Sequence, residues 1–286
     1  MQLQSNFKDA MFNAGLITDV PIIADGEIHR FKPDGDKREN GWYIYFGDGG
    51  AFGSWKLGLT EKWFRKNLDK CRRTDISKEI KAAKILSDKK KIANQKSASV
   101  VAASRWKQAT PIVDASRFPY LAKKQVKAYG LRAEGDNILV PMCIDRKVWS
   151  IQTISPDGSK RFQYQGRVAG CYFPIGTPAG TIWIAEGYAT AATVHQVTND
   201  CVVVAFNAGN LAAVANAVRR RFRMAQIYIA ADNDAVGTAK ASAAVYAHKL
   251  GGYVSPTVED GITDWNDFQQ LNGDETTKEH LLRIAQ

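Results

Sequence analysis

The stretch TIWIAEGYATAATV, residues 181–194, decides the fold. A run of β-formers, Ile182, Trp183, Ile184 and Ala185, ends on Glu186, and a glycine then leads into an alanine-rich segment that reads as helix. A carboxylate at the end of a buried strand has two readings. It caps the helix that follows, or it serves chemistry and needs partners elsewhere in the chain.

The pattern continues downstream as helix 188–198, strand 201–206, helix 210–222, strand 226–231, helix 236–250 and strand 253–258. Strands alternating with helices of this length imply βαβ crossovers and a mostly parallel sheet covered on both faces. Functional groups in such sheets gather at the carboxyl ends of the strands, where Glu186 lies. The third strand, in QIYIAADNDAVG (226–237), delivers Asp232 and Asp234 at the same kind of end. Alternation in extended chain lets residues i and i+2 point together. Three carboxylates held close repel one another unless a cation sits among them, and an oxygen-only set suits Mg²⁺ or Mn²⁺. Taken alone, Asp232 and Asp234 read first as turn residues and N-caps; the pairing with strand–Glu–Gly–helix is the more specific signal for a metal.

Upstream, EIHRF (27–31), WYIYF (42–46) and GDGGAFGSWKLG (47–58) are short aromatic strands broken by Asp-Gly and Gly-Gly turns, the mark of a β meander. Thr60 is expected to N-cap a helix over 60–73, with Trp63, Phe64 and Leu68 on one face. Residues 75–110, rich in Lys, Ala and Ser, read as an exposed helical linker. Next, NILVPMCID (137–145) and KVWSIQTIS (147–155) form two strands with a turn at Arg146 and Lys147, and Asp157-Gly158 marks a second turn.

Arg146, Lys147, Lys160, Arg161 and Arg167 in this region are candidate phosphate and template contacts; the alternative is a solvated sheet face. Trp149, Phe162 and Tyr164 lie among them, where bases can stack, although at least two of the three are expected in the core. In AFNAGNL (205–211), Asn207 and Gly209 suit close approach of a nucleotide, and Asn210 is either part of that edge or a helix cap.

The composition, 45% apolar and 24% charged over 286 residues, is that of a globular protein. No apolar run approaches the roughly 20 residues that span a bilayer, the N-terminus lacks a signal-peptide layout, and cytoplasmic residence without membrane association is expected. Cys71, Cys143, Cys171 and Cys201 form no C-x-x-C pair, and with His29, His195, His248 and His280 they make no zinc spacing. The cysteines therefore read as reduced packing residues. Of the net charge of +10, residues 61–100 alone carry +8, from 13 Lys or Arg against 5 Asp or Glu. Such a stripe suits a polyanion, or merely a solvated Lys-rich helix.

IAEGYATA followed by IAADNDAVGTAKA resembles a Toprim domain, the module shared by bacterial primases, topoisomerases and some nucleases. Downstream, GITDWNDFQQL (261–271) resembles the D-x-N-D element that follows the Toprim core in phage and plasmid primases. Residues 138–176 resemble the basic segment ahead of Toprim in primases of the bacterial and phage (DnaG-like) type, and GWYIYFGDGGAFGSWKLG resembles the N-terminal part of satellite-phage and mobile-element primase-helicases.

The resemblance implies an α/β fold: a Toprim-type mostly parallel sheet flanked by helices, preceded by a basic β-rich subdomain and a small β-rich N-terminal unit. The implied divisions are 1–72 (the zinc-ribbon position, without zinc ligands), 73–110 (linker), 111–180 (pre-Toprim), 181–262 (Toprim) and 263–286 (acidic element and helix). It implies a DNA primase using Mg²⁺ or Mn²⁺ on a single-stranded DNA template with nucleoside triphosphates. Glu186, Asp232 and Asp234 are then catalytic metal ligands, joined by Asp264 and Asp267, whose other reading is a helix N-cap. With no P-loop in the chain, any replicative helicase is expected to be a separate partner. The alternatives are a Toprim nuclease and a non-catalytic DNA-binding replication factor.

Overall fold

The structure, a computed structural model, describes residues 2–256 and 262–283. The chain divides into two compact units, Met1–Ala93 and Asn94–Gln286.

The first unit is an antiparallel meander of β1 (His29–Phe31), β2 (Gly41–Tyr45), β3 (Gly49–Ser54) and β4 (Leu59–Phe64). Strand β2 shows why it is buried along its whole length. Tyr43 and Tyr45 face α1 (Gln2–Asn13), where they pack on Phe7 and Met11. Trp42 and Ile44 face the other way, onto Ile76 and Ile80 of α2 (Lys70–Gln108). Period-two alternation thus serves two cores at once.

The helix expected over 60–73 is not formed. Residues 59–64 are strand β4, and α2 begins only at Lys70. Trp63 joins the α1 side and Phe64 the α2 side, so the adjacent rings need opposite faces, which a strand supplies and a helix does not. Their cross-strand partners are Gly50 and Gly49. A Cβ at Gly49 would meet Phe64 at 3.1 Å and Ile76 at 2.7 Å, so glycine makes room for both. Over residues 84–97, α2 is largely exposed; its final turns, which belong to the second unit, bury Ala102 in one cluster with Leu139 and Ile151 of that unit.

The second unit opens with the antiparallel sheet β5 (Thr110–Pro111), β6 (Arg132–Glu134), β7 (Asn137–Ile144), β8 (Lys147–Ile154) and β9 (Lys160–Phe162); α3 (Pro119–Lys124) lies between β5 and β6. The β7–β8 turn is made by Asp145 and Arg146, both at positive φ (49° and 66°), and Lys147 already belongs to β8, so the turn falls one residue earlier than expected. The Asp157-Gly158 turn forms as read, with Gly158 at φ +84°.

There follow β10 (Phe173–Ile175), β11 (Thr181–Ala185), α4 (Tyr188–Thr198), β12 (Cys201–Val204), α5 (Leu211–Arg221), β13 (Gln226–Ala230), α6 (Ala235–His248), β14 (Gly252–Val254) and α7 (Trp265–Leu282), the last kinked at Gly273 (φ +78°). The sheet order is β10-β12-β11-β13-β14: four parallel strands with β10 antiparallel on the β12 edge. The last strand was expected over 253–258, and residues 257–258 lie outside those described. Alternate residues feed two cores. Trp183, Ala185, Val202, Val204 and Tyr228 meet α4 and α7 together with Ile138, Val140 and Met142 of the antiparallel sheet. Ile182, Ile184, Val203, Ile227 and Ile229 meet α5 and α6.

Asn210 does not cap α5 with its side chain. It is buried, donates to the Cys171 and Ala205 carbonyls at 2.9 and 2.8 Å, and accepts from Gly170 N–H at 2.8 Å. It therefore ties the approach to β10 to the end of β12. Cys171 and Cys201 are buried as expected of packing residues, but Cys71 is exposed. No described helix is long and apolar enough to cross a membrane. Asn210→Ala strands a buried amide and two carbonyls, and is expected to lower unfolding free energy by about 2–4 kcal/mol, read as a fall in the urea midpoint with an unchanged slope.

Candidate active site

Strands β11 and β13 are parallel neighbours with Ala185 opposite Ala230, so the chain leaves both strands at one edge. Glu186 follows directly on one strand and Asp232 two residues beyond the other. Both side chains are partly buried, and Glu186 Oε1 and Asp232 Oδ1 are buried atoms with no hydrogen-bond partner among the described residues. Burial, then the Asp234 charge, pushes the Glu186 carboxyl up to about 6, partly offset by the Ala208 amide. Burial, then Glu186 and more weakly Asp264 and Asp234, pushes Asp232 up to about 7, while Lys160 pulls it down.

Asp234 is more exposed. Its Oδ1 caps α6, accepting from Val236 N–H at 2.8 Å and Gly237 N–H at 2.6 Å. Gly237 is a close-approach glycine: a Cβ there would lie 3.0 Å from Glu186 Oε1 and 2.9 Å from the Asp232 carbonyl oxygen. Asn233 N–H donates to the Thr263 carbonyl at 2.8 Å, which brings the start of α7 to the same edge.

Residues 181–275 match the family model of the Toprim domain. This segment is a Toprim domain. Beyond it, the chain is similar to two proteins of Escherichia coli named DNA primase TraC. One is 32% identical over 252 residues, covering 81% of this chain and 23% of that protein; the other is 31% identical over 255 residues, covering 82% and 18%. The chain thus spans about a fifth of the length of these relatives. Among solved structures, it is similar to the Aquifex aeolicus primase zinc-binding and RNA polymerase domains (13% identity, TM-score 0.47, 98% of this chain and 84% of that one). It is also similar to the primase fragment of the bacteriophage T7 primase-helicase (15%, TM-score 0.46, 61% and 80%).

Within the Toprim match, Asp264 caps α7 through Asn266 and Asp267 N–H at 2.9 and 2.8 Å. Lys124, on α3, lies 2.9 Å from Asp267 Oδ1 and 3.7 Å from Asp264 Oδ2, so both carboxylates face a protein cation. Sequence reasoning missed Lys124, because a Lys-Lys pair more than a hundred residues upstream carries no mark of its partner. It also passed over Tyr120, whose buried hydroxyl has no partner among the described residues and whose ring lies 5.4 Å beneath Lys160 Nζ.

The five proposed cations do not act together. Lys160 reaches the Toprim edge: its charge is felt by Asp232, and its Nζ lies 3.8 Å from where a Cβ on Gly187 would be. Arg161 alternates to the opposite face and is felt by Asp157. Lys147 and Arg167 stack on Trp149 at 4.3 and 5.1 Å, and Arg146 is exposed at its turn. The expectation that at least two of three aromatics are core fails: Phe162 is 40% and Tyr164 85% exposed, and only Trp149 packs partly against the core. Short β9 leaves one face open, and Phe162 meets Phe206 edge-on at 6.5 Å. Asn207 and Gly209 lie in the tight turn between β12 and α5, Gly209 exposed.

Among the described residues, no three Asp, Glu, His or Cys side chains converge as a ready-made metal cage. Even so, two buried carboxylate oxygens without donors among the described residues, both on carboxyls whose proton affinity burial and neighbouring acids raise, fit a divalent cation. Because both groups titrate higher when folded than their ordinary 4.5 and 3.8, the folded state holds extra protons, and stability falls as pH rises from about 4 to 7. Asp232→Asn is expected to flatten that slope and to raise Tm at pH 7.5 by a few degrees. Millimolar Mg²⁺ or Mn²⁺ should raise the wild-type Tm and leave the variant unmoved, read by differential scanning calorimetry.

Proposed function

We propose that this chain is a DNA primase that makes short primers on single-stranded DNA by metal-dependent nucleotidyl transfer. The observation that carries the reading is the meeting of Glu186 and Asp232, each with an oxygen that has no donor among the described residues, at adjacent parallel strand ends of a Toprim domain. The naming of both curated relatives as DNA primases supports it.

Primer extension joins a 3′-hydroxyl to the α-phosphate of a nucleoside triphosphate and releases pyrophosphate. Glu186 and Asp232, with Asp234 beside them, would hold Mg²⁺ or Mn²⁺, which lowers the hydroxyl pKa and neutralises phosphate charge. Lys160 supplies a fixed cation to the triphosphate, supported from below by Tyr120. Asp234 holds the N-terminus of α6 against this edge, while Asp264 and Asp267, tied to Lys124, anchor the start of α7 beside Asp232. Arg146, Lys147, Arg161 and Arg167 contact template phosphates further out, and Asn207 and Gly209 line the nucleotide's approach. A separate replicative helicase supplies the unwound template.

Labelled NTPs, mixed single-stranded templates and Mg²⁺ or Mn²⁺ test this directly. Wild type should yield short products, Asp232→Asn at least about 100-fold less, and Lys160→Ala a raised KM for NTP. Degraded template would replace the reading with a Toprim nuclease; bound template with no product, alone or with a helicase added, would replace it with an accessory factor.

A further inference from the structure

The first unit contains a cleft of about 470 Å³, within the span of about 300–1,000 Å³ typical of small-ligand sites. One wall is the meander, with Arg30 on β1, Trp42 on β2 and Trp55 just past β3. The other is a single stripe of α2: Lys84, Ser87, Asp88 and Lys91, spaced i, i+3, i+4 and i+7. The two indoles lie 6.2 Å apart, and each carries a cation: Arg30 is 4.4 Å from the Trp55 ring and Lys84 4.5 Å from the Trp42 ring. Trp42 is buried, but Trp55 is 50% exposed. None of Arg30, Lys84 and Lys91 is ion-paired among the described residues.

We propose that this cleft binds one unpaired base of single-stranded DNA, stacked on Trp55, with the flanking phosphates held by Arg30, Lys84 and Lys91. Large aromatic area beside unspent positive charge suits a base and its phosphates, whereas a duplex keeps its base faces stacked inside. Ser87 and Asp88 give the stripe polar groups for a base edge. A packing role explains buried Trp42. It does not explain a half-open indole with unpaired Arg30 beside it, facing two unpaired lysines across a cleft. The choice of DNA rests on the primase reading; the site itself does not need the Toprim carboxylates.

Anisotropy of a labelled single-stranded 12-mer, titrated with the full chain, tests the site. A matched oligonucleotide of abasic residues separates stacking from charge. Trp55→Ala should weaken binding of the normal strand about tenfold and of the abasic strand less than about twofold, with Trp55→Phe close to wild type. Lys84→Ala/Lys91→Ala should weaken both strands and lower the salt slope by about 1.4. Unchanged binding by Trp55→Ala, or equal losses on both strands, overturns the proposal. If Trp55→Ala shows an altered far-UV spectrum, Trp55→Phe and the lysine pair decide. Asp232→Asn should bind like wild type, so inactivity in primer synthesis and failure of this cleft are read apart.

Discussion

Everything at the candidate active site depends on β11 and β13 being parallel neighbours in one register. With Ala185 opposite Ala230, the two chains leave the sheet together and their carboxylates cannot diverge. Hydrophobic cores on both faces of the sheet hold that register against the repulsion it creates. The cost appears in the proton affinities of Glu186 and Asp232, both driven upward first by burial and then by neighbouring carboxylates. Neighbouring acids are treated differently. Asp234 is committed to a helix end, and Asp264 and Asp267 are shared with Lys124, so among the described residues only Glu186 and Asp232 are carboxylates left with donorless buried oxygens.

The N-terminal unit solves a separate packing problem. Its sheet is too small to bury one face well, so helices cover both, and glycines on β3 admit the rings of β4. No thiolate cluster holds it; aromatic pairs such as Phe7 and Tyr45, 4.6 Å apart, fill the space instead. What projects from this arrangement is the half-exposed indole of Trp55, with Arg30 beside it.

The parallel body was legible in the sequence because its strands are short Val/Ile runs set between alanine-rich helices, and because acid residues stood where apolar runs stopped. The same reading failed at 60–73. Trp63, Phe64 and Leu68 satisfy helical spacing locally, and only the glycines opposite, at positions 49 and 50, show that two adjacent rings must part. Lys124 was illegible for a related reason: its partners lie on α7, far along the chain, and neither stretch is unusual by itself. The exposed rings of Phe162 and Tyr164 belong to the same class, since aromatic strand residues look alike whether their face is covered or open.

Strand β10 gives the second unit a particular folding autonomy. It comes from the chain ahead of the Toprim match, yet it closes the β12 edge of the Toprim sheet, and Asn210 fastens the two from within. A fragment cut at residue 181 would leave the β12 backbone N–H and C=O groups unpaired along a strand of Cys201, Val202, Val203 and Val204, an edge suited to pairing with another copy of itself. The sequence boundary of the domain and its smallest well-behaved folding piece are therefore different things, and the latter includes residues 173–175.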